Sequence, residues 1–196
     1  MNTQQTDRVV QALNSFRIEL PSWGFSNTGT RFGKYLQAAA ALTIEEKFSD
    51  AQQVHRLTGV CPTLALHVLW DLPNGVDDVD GIAALAARHG IQPGSINPNL
   101  FEEQIYKFGS FGNPDASVRQ HALQHAKDSV RIARRLNSRD IVLWFADGSN
   151  YPGTANVRRR KQWFEENLRT LHERMTESRI CACSRARRGQ VRTPHT

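Results

Sequence analysis

Four short apolar segments, each followed by an amphipathic helical pattern, recur along residues 16–176 and dictate most of what this chain can fold into. Residues 16–20 alternate apolar with charged side chains and stop at Pro21, which reads as a strand running into a loop. Thr43, with Glu46 three residues on, has the form of a capping box. Ile44, Phe48, Ala51, Val54 and Leu57 then recur at helical spacing until Gly59. Residues 64–69 form a compact apolar run, suited to a strand covered on both faces. A second helix is expected over residues 77–89, closed by Gly90, and a weaker strand over 91–97. Asp115 caps a long helix through Arg135 that sets Val118, Ala122, Ala126, Val130 and Ala133 on one side. Residues 140–145 give the strongest strand signal, and a last helix starts near Asn156 and carries Trp163, Phe164, Leu168 and Leu171.

Strands separated by helices imply parallel pairing, because a tight hairpin cannot join parallel neighbours. Right-handed crossovers then wind the sheet either into a barrel or into an open doubly wound form, and periodicity alone leaves both open. A complete eight-unit barrel typically needs ~250 residues. The division expected is an N-terminal extension over 1–15, a domain of four strand–helix units over 16–176, and a basic tail over 177–196.

Composition narrows the class. With 39% hydrophobic and 22% charged residues, the 196-residue chain is that of an ordinary globular protein rather than a disordered one. No apolar run approaches the ~18–20 residues that span a bilayer. The first residues lack the basic and apolar regions of a secretory signal, so a cytoplasmic location is expected. The net charge of +6 hints at nucleic acid, but residues 177–196 hold five arginines against one glutamate, a net +4. They also hold Cys181 and Cys183, two of the three cysteines. The body is close to neutral and cysteine-poor, which makes nucleic acid an improbable partner for it.

In parallel α/β folds chemistry collects at the C-terminal ends of the strands, and here those ends are polar and aromatic. They read Pro21-Ser22-Trp23-Gly24, then His67-Val68-Leu69-Trp70-Asp71, then Asn97-Pro98-Asn99, then Trp144-Phe145-Ala146-Asp147-Gly148. Trp23 and Trp144 can form an apolar wall against sugar carbons, with Asn and Asp bonding hydroxyls; equally, the tryptophans can be core and the polar residues turn formers. His67 is the best candidate for acid–base work, since imidazole exchanges protons near neutral pH. Asp71 follows four residues later, close enough to orient the ring if the loop turns back. A satisfied core histidine is the competing account.

Other signals are weaker. Residues 24–29 have the glycine spacing of a phosphate loop but lack its Lys-Ser/Thr. His121 and His125 share a helix face without the glutamate of a zinc-protease helix, and read as a solvated face. The run 158–161, Arg-Arg-Arg-Lys, opens the last helix against its dipole and reads as a surface or subunit contact. Cys181-Ala-Cys183 has no second ligand pair.

Taken in order, Leu-Pro-Ser-Trp-Gly (20–24), Gly-Thr-Arg-Phe (29–32), Leu-His-Val-Leu-Trp-Asp (66–71), Asn-Pro-Asn-Leu-Phe (97–101), Tyr-Lys-Phe-Gly-Ser (106–110) and Trp-Phe-Ala-Asp-Gly-Ser-Asn-Tyr-Pro-Gly (144–153) resemble the sugar isomerases related to L-rhamnose isomerase. These lie within the xylose-isomerase-like TIM-barrel group. The resemblance covers roughly residues 16–175. It implies an α/β fold, the N-terminal half of a (βα)8 barrel, and conversion of an open-chain aldose to its ketose. It further implies divalent ions, commonly Mn2+, that hold sugar oxygens and stabilise the charge developing there, and a homotetramer in the full-length proteins. Carried onto this sequence, His67 falls on the histidine that opens the cyclic sugar and Asp71 on its orienting partner. Trp23 and Trp144 would line the sugar pocket, Phe101 would shape its rim, and Asp147 would contact substrate.

The family's metal ligands come from strands five to eight, so no metal ligand is expected in this chain. Residues 176–189 show neither strand period nor an acidic cluster, and the expectation for 177–196 is a disordered tail, read as a frameshifted translation of an interrupted gene. The chain would then be a truncated, inactive form with sheet edges exposed at strands one and four, prone to self-association. Two other classes remain: a non-catalytic α/β interaction module whose basic tail binds nucleic acid, and a small open α/β enzyme using His67 and Asp147.

Overall fold

The computed structural model describes residues 3–26, 37–148, 153, 155–176 and the backbone of 181–185. Helix α1 (Thr3–Asn14) precedes β1 (Glu19–Pro21); α2 (Ile44–Thr58), β2 (Thr63–His67), α3 (Val79–His89), β3 (Gln92–Asn97), α4 (Ala116–Arg135), β4 (Asp140–Trp144), α5 (Val157–Thr176) and β5 (Cys181–Arg185) follow. All the strands are parallel and pair in sequence order, β1-β2-β3-β4-β5. Sequential order distinguishes a barrel wall from a doubly wound sheet, whose order reverses at a switch point. The four expected strand–helix units are present as the first half of a barrel.

The helix boundaries arise from local chemistry. Thr43 accepts from the Glu46 amide while the Glu46 carboxylate accepts from the Thr43 amide, completing the capping box of α2. The Asp115 carboxylate accepts from the Ser117 amide at the head of α4. Helices α2 and α3 both end on a left-handed glycine, Gly59 and Gly90.

Register divides each strand into two faces. Leu64, Leu66, Ile96, Ile141 and Leu143 have essentially no exposure and pack in the core with Phe48, Ile82, Val130 and Leu171 of the helices. The alternate positions, among them Glu19, Thr63, Ala65, His67, Ser95, Asn97 and Trp144, share the other face. That face is concave: the Glu19 carboxylate of β1 passes over β2 to accept from the Ser95 amide and hydroxyl of β3, both at 2.6 Å.

Three expectations change. The first strand is shorter and later than residues 16–20: Phe16 is 62% exposed, and pairing with β2 begins at Glu19. Residues 181–185 form a strand paired with β4 along its length, although Cys-Ala-Cys-Ser-Arg has no apolar period. Pairing with an existing edge overrides weak intrinsic preference. The edge expected at strand four is accordingly covered, and the sheet ends on β1 and β5. The remainder of the basic tail, including its arginines as candidate nucleic-acid contacts, lies outside the described residues, as do the 29–32 motif and residues 149–152. Among the described residues no helix is long and apolar enough to cross a membrane.

Candidate active site at the strand ends

The C-terminal ends of β1 to β4 converge on one aromatic cluster. The imidazole of His67, the last residue of β2, stacks on Trp70 with ring centroids 3.7 Å apart and planes 16° from parallel. Trp23, from the turn after β1, and Phe101, from the loop after β3, each meet His67 edge-on at 5.9 Å. Phe101 also touches Trp144 at the end of β4, at 4.6 Å. His67 is only 5% exposed, whereas the four surrounding rings are half-buried and offer solvent an apolar platform above it. Trp23, His67, Phe101 and Trp144 thus come from four separate strand ends into one site.

Backbone geometry sets the stack. Leu69 sits at φ +86°, a strained value for a branched residue, and turns the chain so that Trp70 folds back over His67. The turn is held by Asp71, whose buried carboxylate accepts from the His67 amide at 2.7 Å, from the Ser22 hydroxyl, and from the Lys47 ammonium at 2.7 Å. Asp71 therefore positions His67 through its main chain and not through its ring, unlike the expected carboxylate–imidazole contact. It also ties the turn bearing Trp23 to the turn bearing Trp70. On the other side, the Trp70 indole donates to Glu102 at 2.7 Å, and the Asn99 side chain donates to the same oxygen at 2.7 Å. Asn99 in turn accepts from the amides of Phe101 and Glu102, shaping the turn that presents Phe101.

Burial pushes the His67 imidazole down to about 4 from its ordinary 6.5, outweighing the opposing pull of Asp71 and Glu102. At neutral pH the ring is uncharged, and its Nδ1 is buried without a hydrogen-bond partner among the described residues. His55, His89 and Tyr106 also carry such an atom, on α2, α3 and the loop after β3, but none joins this cluster. Leaving a buried polar atom unmet costs on the order of 1–3 kcal/mol, a cost borne at the floor of the cluster.

Asp147 takes a different place from the one expected. Its carboxylate accepts from the Ser110 amide and hydroxyl at 2.6 Å each and from the Gly112 amide at 2.8 Å. Gly109 beside it has φ +107°, and a Cβ there would press on the same carboxylate. Asp147 latches the loop after β3 to the end of β4. His125 likewise departs from the solvated reading: its Nε2 accepts from the Asn99 amide at 3.1 Å, and burial lowers its basicity.

Lys47 and Glu102 were not named from sequence, and Ser22, Trp70 and Asn99 stood there only as strand-end residues without their bonds. Lys47 had a signal, since positions 44, 47, 48 and 51 fall on one helical face and 48 and 51 are core.

The described residues of the site do not fit a divalent ion. Among the described residues no three His, Cys, Asp or Glu side chains are grouped to hold one, and Asp71, Glu102 and Asp147 are each committed to protein donors. A cavity of about 380 Å³ elsewhere, between α4 and α5, is lined by charged side chains such as Lys127, Arg131 and Glu173 and includes no residue of the cluster.

No protein-family model matches the chain. Over 171 residues it is 30% identical to a probable sugar isomerase of Mesorhizobium japonicum, a match spanning 85% of this chain and 39% of that protein. It is 28% identical to a probable sugar isomerase of Rhizobium meliloti with the same coverage, and 28% identical over 80 residues to a xylose isomerase of Thermus thermophilus, 40% of this chain and 21% of that protein. Among solved structures, a D-tagatose 3-epimerase-like protein superposes with a TM-score of 0.59 at 11% identity, covering 86% of this chain and 52% of that one. An L-ribulose 3-epimerase does so at 0.59 and 16%, covering 85% and 48%. The chain therefore shares the fold of about half of these epimerases, is similar in sequence to probable sugar isomerases, and spans about two fifths of the length of the curated relatives it matches.

Proposed function

We propose that this chain supplies the sugar-binding strand ends of an aldose–ketose isomerase of the L-rhamnose isomerase type. The observation that carries the reading is the neutral, buried His67 with an unmet Nδ1 beneath the platform of Trp23, Trp70, Phe101 and Trp144. The similarity to probable sugar isomerases supports it from outside the geometry. Aromatic faces suit the C–H side of a pyranose, while a neutral imidazole can accept from a sugar hydroxyl and help move its proton during ring opening. Asp71 holds His67 in place, and Asp147 acts on the pocket wall by fixing the loop after β3. The net reaction moves one hydrogen from C2 to C1 and one hydroxyl proton between oxygens, with no change in overall oxidation state. The divalent metal dependence that the resemblance implies, with Mn2+ as the ion, requires donors other than the described ones. A homo-oligomeric state belongs to the same reading.

The test is tryptophan fluorescence of the chain titrated with L-rhamnose and other aldoses. Saturable quenching is expected, with Trp144→Ala weakening it about tenfold, the equivalent of ~1.4 kcal/mol. Quenching that is absent, or indifferent to Trp144, would sink the reading.

A further inference from the structure

We infer that Lys47, a residue of α2 outside the aromatic cluster, is a positioning residue for His67, acting through Asp71; this rests on the reading of His67 as the sugar-facing group. Lys47 is 5% exposed, an unusual place for an ammonium group. Its Nζ lies 2.7 Å from Asp71 Oδ1, and the Asp71 side chain is wholly buried. The other carboxylate oxygen accepts from the His67 amide and the Ser22 hydroxyl. The Asp71 amide donates back to the His67 carbonyl at 2.9 Å. The turn from His67 to Asp71 is therefore closed twice, by the Asp71 carboxylate on the His67 amide and by the Asp71 amide on the His67 carbonyl, and Lys47 is the one described cation paired with that carboxylate.

The consequence is geometric. This turn contains Leu69 at φ +86°, a conformation that the surroundings must hold. Without the ammonium, the buried carboxylate loses its paired cation and draws in water, and one or more of its bonds to His67 and Ser22 is given up. The turn can then relax, and the face-to-face stack of His67 on Trp70 at 3.7 Å is lost. Lys47 thus reaches the site from the helix layer without touching a ligand.

The experiment is side-chain proton–carbon NMR of the chain. In the unaltered protein the Trp70 indole face is expected to shift the His67 ring protons upfield. In Lys47→Met that upfield shift is expected to collapse, while Lys47→Arg, which keeps the charge, retains it. Lys47→Gln, which keeps the length and a donor without the charge, provides the same reading if Lys47→Met does not fold, and the methyl signals of Leu64, Leu66 and Ile96 report whether the core is intact. An unchanged His67 shift in a folded Lys47→Met or Lys47→Gln protein would overturn the inference. Adding L-rhamnose to the unaltered protein is a separate arm: no response of His67 there would count against the sugar reading and leave the role of Lys47 standing.

Discussion

The two faces of one sheet differ in kind. On the outer face Leu64, Leu66, Ile96, Ile141 and Leu143 are sealed under helices. On the inner face the same strands carry Thr63, Ala65, Ser95 and Asn97 and end in His67 and Trp144. Burial of large aliphatic groups is where stability accumulates; small and polar positions leave room for a ligand, and the strained turn and unmet nitrogen lie on that side. Under the proposed function, stability and chemistry are separated by the pleat, and the Lys47–Asp71 pair joins the helix layer to the strand-end turn.

Substitutions that cross this boundary should have the largest effect. Lys47→Met leaves Asp71 buried and uncompensated, and a loss of ~3–5 kcal/mol in urea unfolding is expected. Leu66→Ala, wholly on the outer face, should cost ~2–5 kcal/mol by the same measurement while leaving aldose quenching intact in protein that remains folded. Acid should act through the inner face. His67 is held near 4 when folded and titrates near 6.5 when unfolded, so between those values the unfolded chain binds the extra proton. Stability therefore falls as the pH drops from 6.5 to 4 and is unaffected by this group above 6.5, with a contribution on the order of 3 kcal/mol. Urea unfolding at pH 7 and pH 4.5 checks the sign, and His67→Phe should reduce the difference, leaving the part that His125 contributes with the same sign. The smallest effect belongs to Thr43→Ala, which removes the α2 cap for ~1 kcal/mol and should not alter sugar binding.

What could be read from sequence follows from what is local. The capping box at Thr43 and Glu46, the Asp115 cap, the glycine stops and the alternation of strands with helices depend on neighbours within four residues. The gathering of Trp23, His67, Phe101 and Trp144 was accessible because parallel strands present their C-terminal ends together. What Asp71 and Asp147 bond to was not accessible. Asp71 is taken by Lys47 and Ser22, 24 and 49 positions away, and Asp147 by Ser110, 37 positions away. The fifth strand was missed because its pairing with β4 is tertiary and its residues lack a period.

The claim at the centre of this account is that the ring cluster around His67 is a sugar pocket, and chemical-shift mapping with L-rhamnose and related aldoses tests it most directly. Saturable shifts confined to Trp23, His67, Trp70, Phe101 and Trp144 are expected. No saturable shifts with any aldose, or shifts centred on the groove between α4 and α5, would contradict it.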